Sequence, residues 1–336
     1  MAFLAIAELC FAQADKKPVE VTDMLKIKTV GNITLSKDGS KAAFTVTSIE
    51  PDETNKSDYK YLTQIYLLSA TGNEAPVQLT TAKEGGSQPA WSPDGKQLAF
   101  VRAVDGKPQV FMLAMSGGEA MQLTKYKYGA TNPKWSPDGK QILFSAGISL
   151  QDLLKDSVLN PAHNLPPWPF EKPGFDNNEQ LKANAAKSNP DGSLQEIRAY
   201  LDKDESDKKA VVLDKLNFQN EFGISSEQSF SQFFLVDAAK GGEPIAITKG
   251  FYRYSNADFT PDGKQVILSG DVDSLENPDR SLESAIMLAD IATGNMKQLL
   301  GEKDKRYFAA SVSNNGKWLA FEYSSTSFAT VPLLAL

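Results

Sequence analysis

One stretch of this chain is written five times over, and the repetition limits the fold more than any other feature. Residues 89–102 read PAWSPDGKQLAFVR and residues 133–146 read PKWSPDGKQILFSA. Looser copies stand at 33–46 (ITLSKDGSKAAFTV), 257–270 (ADFTPDGKQVILSG) and 310–323 (ASVSNNGKWLAFEY). The residue before the turn is apolar each time: Leu35, Trp91, Trp135, Phe259 and Val312. Ser-Pro-Asp-Gly suits a type I turn with Ser92 first, Pro93 fixing φ, Asp94 third and Gly95 fourth at positive φ, closing a bulged hairpin. Asn315-Gly316 has the same role in the last copy. Short apolar runs follow, such as Leu98-Ala99-Phe100-Val101 and Ile142-Leu143-Phe144. They are too short for helices and rich in β-formers. They lack polar alternation, which is expected of strands covered on both faces.

A second half-unit follows each hairpin: QIYLLSATGNEAPVQLT at 64–80, QVFMLAMSGGEAMQLT at 109–124, QFFLVDAAKGGEPIAIT at 232–248 and AIMLADIATGNMKQLL at 285–300. Each reads as strand, glycine-bearing turn, strand, so a whole unit is four antiparallel strands. The pre-turn residues measure the period: 56 residues from Leu35 to Trp91, 44 from Trp91 to Trp135 and 53 from Phe259 to Val312. A four-stranded unit of roughly 40–50 residues is the mark of a β-propeller blade. A lone blade cannot bury both faces, so blades must lean on one another, with the pre-turn residue in the layer between them. The expected fold is therefore all-β: a β-propeller over residues 15–336, with about five to six blades and an incomplete ring.

Trp135 and Phe259 are 124 residues apart. The simplest reading keeps one blade, the third, with inner hairpin 133–146, outer hairpin 232–248 and a long, partly helical insertion over 148–230. NPAHNLPPWPFEKPGFDNN carries prolines at 161, 166, 167, 169 and 173 and should be extended and irregular. Ser193 and Glu196 have capping-box spacing, and Leu194, Ile197 and Leu201 share a helical face, so a short helix is expected there. AVVLDKLNFQNEFG then returns to strand character. Loops of this length in a compact domain are functional or disordered.

Composition narrows function mainly by exclusion. With 41% hydrophobic residues the 336-residue chain can bury a large core. A formal charge of −7 without basic runs speaks against nucleic acid. No segment nears 18 consecutive apolar residues, so no spanning helix is expected. Cys10 is the single cysteine, which rules out an intrachain disulfide. It sits in MAFLAIAELCFAQADKK, where Ala12-Gln13-Ala14 has the form of a signal-peptidase site. Residues 1–14 read as a signal peptide lacking its basic start, which implies a periplasmic or secreted protein. The other reading is an N-terminal segment without a task, since Glu8 interrupts the apolar run.

Chemistry-bearing motifs are scarce. There is no Gly-x-Ser-x-Gly elbow, Walker loop or dinucleotide fingerprint. His163, the sole histidine, lies in the proline-rich insertion, and no second histidine or carboxylate spacing completes a metal site around it. It reads as a loop residue, not a general base or ligand. Trp168 and Phe170 are expected to anchor the insertion to its own blade, the other possibility being an aromatic contact surface. The acidic stretch 270–284 lacks calcium-loop spacing and reads as a solvated loop. No residue is assigned a catalytic, cofactor-binding or metal-binding role, and no cofactor is expected. After WLAFEYSS the fifth unit writes only VPLLAL before Leu336. The expectation is that the polypeptide continues beyond it.

The blade text WSPDGKQLAF…QVFMLAMSGGEAMQLT resembles the N-terminal propeller of the prolyl oligopeptidase family of serine peptidases, in its acylaminoacyl-peptidase-like branch. The opening VTDMLKIKTVGNITLSKDGSKAAFTV and the insertion returning through LDKLNFQNEFG to SQFFLVDAAKGGEP carry the likeness beyond the blade motif. That motif alone is shared with TolB-type periplasmic propellers. The resemblance covers residues 18–336 and implies a non-catalytic propeller that gates access of short peptides to a C-terminal α/β-hydrolase domain. The family's Ser, Asp and His lie in that domain, so none is carried over to this chain. The alternative is a TolB-type propeller that binds protein partners. A third possibility, a stand-alone propeller enzyme, would need paired carboxylates or metal-binding histidines.

Overall fold

A small set of polar atoms makes each corner. The computed structural model describes residues 18–52, 58–70, 72, 74–166, 168, 185–201, 213, 215–216, 218–220, 223–224, 227–272, 281–325 and 333–335. In it, Ser92 Oγ donates to Asp94 Oδ1 at 2.6 Å and accepts from the N–H of Gln97 at 2.9 Å. Asp94 Oδ1 accepts from the N–H of Lys96, and the N–H of Gly95 closes the turn onto Ser92 O. The same bonds recur around Ser36–Asp38, Ser136–Asp138, Thr260–Asp262 and Ser313–Asn315. Gly39, Gly95, Gly139, Gly263 and Gly316 all adopt φ between 68° and 72°, the region where a side chain is strained.

These bonds favour the charged carboxylate. The Ser36 hydroxyl and then the backbone and side chain of Ser40 hold Asp38 down to about 2, and Asp94, Asp138 and Asp262 are lowered likewise, each first by its corner hydroxyl. A carboxylate lowered in the folded state contributes stability that is complete above its unfolded value of roughly 4 and disappears as pH falls through its folded value. Melting temperature is therefore expected to fall between about pH 4 and pH 2. In Asp38→Asn that acid limb should flatten; an unchanged profile would remove this corner from the explanation.

The corners join strands into successive sheets. A 3₁₀ turn, Val21–Lys26, leads into β1 (Thr29–Leu35), β2 (Lys41–Pro51), β3 (Tyr59–Ser69) and β4 (Val77–Gln78), paired in that order and all antiparallel. The second sheet is β5 (Ser87–Trp91), β6 (Gln97–Val104), β7 (Lys107–Ala114) and β8 (Met121–Gln122). The third begins with β9 (Thr131–Trp135) and β10 (Gln141–Ser149). Two helices, α1 (Leu150–Lys155) and α2 (Leu194–Leu201), and the two-residue strands β11 (Gln219–Asn220) and β12 (Gly223–Ile224) intervene. The third sheet is then completed by β13 (Ser229–Asp237) and β14 (Gly241–Ala246), in the order β9-β10-β13-β14. The fourth is β15 (Tyr254–Phe259), β16 (Gln265–Asp271), β17 (Ser284–Asp290) and β18 (Met296–Leu300). β19 (Lys305–Val312), β20 (Leu319–Ser325) and β21 (Leu333–Ala335) make three strands of a fifth, joined to the fourth by one parallel bridge, Ser284 to Arg306.

Four apolar layers separate these five units. Ala43 and Ile65 of the first sheet meet Leu98 and Phe100 of the second. Ala99 and Val110 of the second meet Ile142 and Phe144 of the third. Leu143 and Leu235 of the third meet Val266 and Leu268 of the fourth, and Ile267 and Ile286 of the fourth meet Tyr307 and Ala310. Neighbouring residues on one strand thus face opposite blades, which is why the runs show no polar alternation. This is the propeller arrangement the repeat demanded, with four-stranded antiparallel sheets stacked in chain order.

The pre-turn residues show the direction of stacking. Trp91 Nε1 donates to Thr34 O at 3.2 Å, and Trp135 Nε1 to Ala90 O at 3.0 Å. Each indole reaches back to the carbonyl just before the equivalent residue of the preceding sheet. Trp91 and Phe259 are buried there. Leu35 is not: it is 59% exposed, against the expectation of an inter-blade position. The first sheet has no predecessor among the described residues to cover it. Trp135→Phe keeps an aromatic ring but removes the donor and part of the packing, and should lower stability by about 1–2 kcal/mol in denaturant titration.

Two details were not foreseen. Each first strand carries a bulge three residues before its pre-turn residue, placing Asn32, Gln88, Asn132, Asn256 and Ala309 at φ between 46° and 53°. Gln88 Oε1 accepts from the N–H of Asn132 at 2.7 Å, linking two of these bulges across sheets. The fourth strands β4 and β8 are shorter than expected because a threonine hydroxyl takes over the ladder: Thr80 Oγ1 accepts from Ile65 N, and Thr124 Oγ1 from Val110 N.

Candidate functional site

Antiparallel pairing places every Ser-x-Asp-Gly corner, and every turn between third and fourth strands, at one end of the sheets. The connections between second and third strands, and from one sheet to the next, lie at the other end. There the loops are unequal. The second sheet turns on two residues, Asp105 and Gly106, both at positive φ, as a tight hairpin requires. In the first sheet, β2 and β3 stay paired as far as Pro51 with Tyr59, well past the point where Thr47 meets Thr29 of β1. In the third sheet, residues 150–228 lie between the paired strands β10 and β13.

That excursion starts as a helix the sequence reading did not anticipate. The Ser149 hydroxyl accepts from Asp152 N at 3.1 Å and caps α1, whose Leu150 and Leu153 are buried in the third-sheet core. Next comes Asp156, with a side chain only 1% exposed. It accepts from Lys127 Nζ at 2.6 Å, from the Tyr128 hydroxyl at 2.8 Å and from the N–H groups of Val158 and Leu159 at 2.8 Å each. Burial opposes its charge, but Lys127, the Leu159 N–H, the Tyr128 hydroxyl and the Val158 N–H together hold the carboxyl well below the usual range. Burial, then the bond to Asp156, pushes Tyr128 up to about 12. One carboxylate thereby ties the excursion to the connection between the second and third sheets.

Trp168 is the second anchor. It is buried, stacked on Phe230 with centroids 6.1 Å apart and edge-on to Phe251 at 5.8 Å. It fastens the excursion to its own blade, as expected; Phe170 lies outside the described residues, as do Cys10 and residues 1–14. His163 is exposed at φ 48°, with Nδ1 3.1 Å from Leu154 O. α2 forms where capping spacing placed it, with Ser193 N donating to Glu196 Oε2 at 2.8 Å. Its expected apolar stripe is not its buried side: Leu194 is 85% exposed, and Ala199 is buried instead. Of the acidic stretch 270–284, residues 273–280 lie outside the described set. Among the described residues no group of three potential metal ligands converges.

Between the two anchors the excursion leans over the connection from the third to the fourth sheet and leaves a cleft of about 600 Å³. Leu153, Leu159 and Phe251 form an apolar floor, with Tyr252 beside them and Asn164 and Lys249 toward solvent. The volume falls in the range of small-molecule sites.

The Lys249–Tyr252 wall is held by a buried polar lock that sequence reasoning missed. Gln232 is fully buried. Its Oε1 accepts from Thr248 Oγ1 at 2.7 Å, and its Nε2 donates to Gly250 O and Tyr252 O at 3.0 Å each. Thr248 Oγ1 in turn accepts from Phe233 N at 2.9 Å. Gln64–Thr80 and Gln109–Thr124 repeat the lock, reaching Ala82 O and Tyr126 O. The signal was present in the sequence, since Gln opens and Thr closes three of the four second half-units. In the fourth, Ala285 opens the half-unit and Gly301, the residue just after it, lies opposite, where a Cβ would come within 2.9 Å of that of Ala285.

Comparison with known proteins fits this architecture. Residues 31–157 match the TolB beta propeller domain family. The chain carries a β-propeller, and that match covers its first three blades in part. Over 107 residues the propeller is 29% identical to the uncharacterized peptidase YuxL of Bacillus subtilis, covering 31% of this chain and 15% of that protein. Its fold is similar to an acylaminoacyl peptidase solved with Z-Gly-Gly-Phe-chloromethyl ketone (TM-score 0.56, 14% identity, 93% of this chain). It is also similar to the acylaminoacyl peptidase of Pyrococcus horikoshii (TM-score 0.54, 14% identity, 89% of this chain). The propeller spans 39% and 36% of those two chains. No helix of its described residues is long and apolar enough to cross a membrane.

Proposed function

We propose that this propeller governs the access of short peptides to the catalytic domain of a serine oligopeptidase, and that it is exported, residues 1–14 being its signal. The observation that carries the reading is the start of the excursion between β10 and β13: pinned at Asp156 and Trp168, its residues between Leu153 and Leu165 wall a ligand-sized cleft at the loop end of the blades. Support comes from the sequence match to a peptidase and from the fold shared with acylaminoacyl peptidases, one of them solved with a peptide-derived inhibitor. On this reading the propeller supplies no reacting group. Nucleophile, base and oxyanion donors come from a hydrolase domain, and the propeller selects by size and shape which peptides reach them.

The test is made on the product of the complete reading frame. It should cleave short peptides, and shortening the excursion across residues 165–218 should raise the longest peptide cleaved. A complete product without peptidase activity, or a size limit indifferent to the shortening, would defeat the proposal. The match of residues 31–157 to the TolB domain family favours a second reading, a propeller that docks protein partners of the cell envelope. Stable capture of such a partner by a complete product lacking peptidase activity would establish it.

A further inference from the structure

We infer that the cleft under the excursion is a binding site for an apolar group that ends in a carboxylate, the chemistry of a short peptide's free C-terminal leucine or phenylalanine. The inference deepens the access reading by naming what the cleft selects. The floor is built to take hydrocarbon: Leu153, Leu159 and Phe251 are all under 10% exposed, and the opening beside them is about 600 Å³. Burying an apolar side chain there is favourable by the area it loses to water. One charged side chain, that of Lys249, stands on the wall among the described residues. No described carboxylate lies within ion-pair distance of its ammonium, although acidic residues outnumber basic ones by 42 to 35 in the chain.

Several of the polar groups around Lys249 are engaged within the protein. Asn160 is buried with its amide committed to Asn164 at both ends, Nδ2 to the carbonyl and Oδ1 from the N–H, each at 2.9 Å. Gly250 O and Tyr252 O accept from Gln232. What remains for a ligand is hydrocarbon surface, one cation and two neutral polar tips, the Asn164 amide and the Tyr252 hydroxyl. A cation beside hydrocarbon rewards an anion attached to an apolar group and repels a protonated amine. The Gln232 lock holds Thr248, Gly250 and Tyr252, so the backbone that carries Lys249 is fixed next to the floor residue Phe251.

The experiment is calorimetric titration of this chain with acetyl-Gly-Gly-Leu, with the same tripeptide as its C-terminal amide, and with octanoate. The free acid should bind at least ten-fold more tightly than the amide. Lys249→Gln should remove that difference, Lys249→Arg should keep it, and Phe251→Ala should weaken the acid while leaving its preference over the amide. Octanoate binding as tightly as the peptide would support the site and assign its source to lipid carboxylates. Equal binding of acid and amide, or a Lys249→Gln protein indistinguishable from the parent, would overturn the assignment. Binding is read here without hydrolysis, so failure of this site leaves the size-limit experiment on the complete product untouched, and failure of that experiment leaves this one standing.

Discussion

Asp156→Ala is expected to lower folding stability by about 3 kcal/mol. The carboxylate has four partners: the Leu159 N–H is buried, while the Tyr128 hydroxyl and the Val158 N–H are partly buried. Each buried group left unpaired costs about 1–3 kcal/mol. Lys127 adds less, because it is 61% exposed and solvates itself once released. Asp156→Asn keeps an acceptor oxygen for part of this set and should cost about half as much. Denaturant titration of the two variants checks the order. The lowered carboxyl also fixes the pH response: its contribution is present above the unfolded value of roughly 4 and is lost only as pH falls through its far lower folded value. Because Leu159 and Asn160 follow directly and border the cleft, Asp156→Ala should also weaken carboxylate-ligand binding. Stability within 1 kcal/mol of the parent would show that the excursion does not depend on this anchor.

Gln232→Leu is the second large effect, about 3 kcal/mol, and it reaches the cleft from inside the sheet. Leucine fits the volume but offers Thr248 Oγ1 no acceptor and the carbonyls of Gly250 and Tyr252 no donor. The partner change matters as much. Thr248→Val alone should cost about 2 kcal/mol, and the double variant less than the sum of the two, because removing both members spares a stranded group. The fourth blade already shows that the pair goes together, with Ala285 facing Gly301 where the other three blades keep Gln and Thr. Strict additivity in the double-mutant cycle would mean that the two side chains do not act as one unit.

The repeats made the blades legible for a definite reason. A corner such as Ser92–Gly95 is satisfied by atoms within six residues of one another, so its sequence is nearly sufficient to specify it. The apolar runs were equally readable, because Leu98 and Ala99 serve opposite neighbours and both must be apolar. Less could be read where partners are distant in sequence. Asp156 looks like an ordinary loop aspartate until the fold brings Lys127 and Tyr128 to it. Helix α1 is too short for a periodic signal to emerge from six residues. The cleft joins residues near 160 to residues near 250, a juxtaposition that only β10–β13 pairing creates. Leu35 misled because its residue type was right for a layer while its sheet has no described predecessor. The left-handed residues Gln88 and Ala309 carry no compositional warning, since asparagine or glycine is the usual occupant of that conformation.

The contrast between the two-residue turn at Asp105-Gly106 and the long excursion one blade later has a practical consequence. Corners and indole bonds hold the blades in register without drawing on the length of those opposite-end connections. The scaffold therefore behaves like a rack whose slots accept cargo of different sizes. A recognition peptide spliced between Asp105 and Gly106 would emerge at the same end of the sheets as the cleft while the stacked blades kept their spacing, which makes that turn the natural place to install a new specificity.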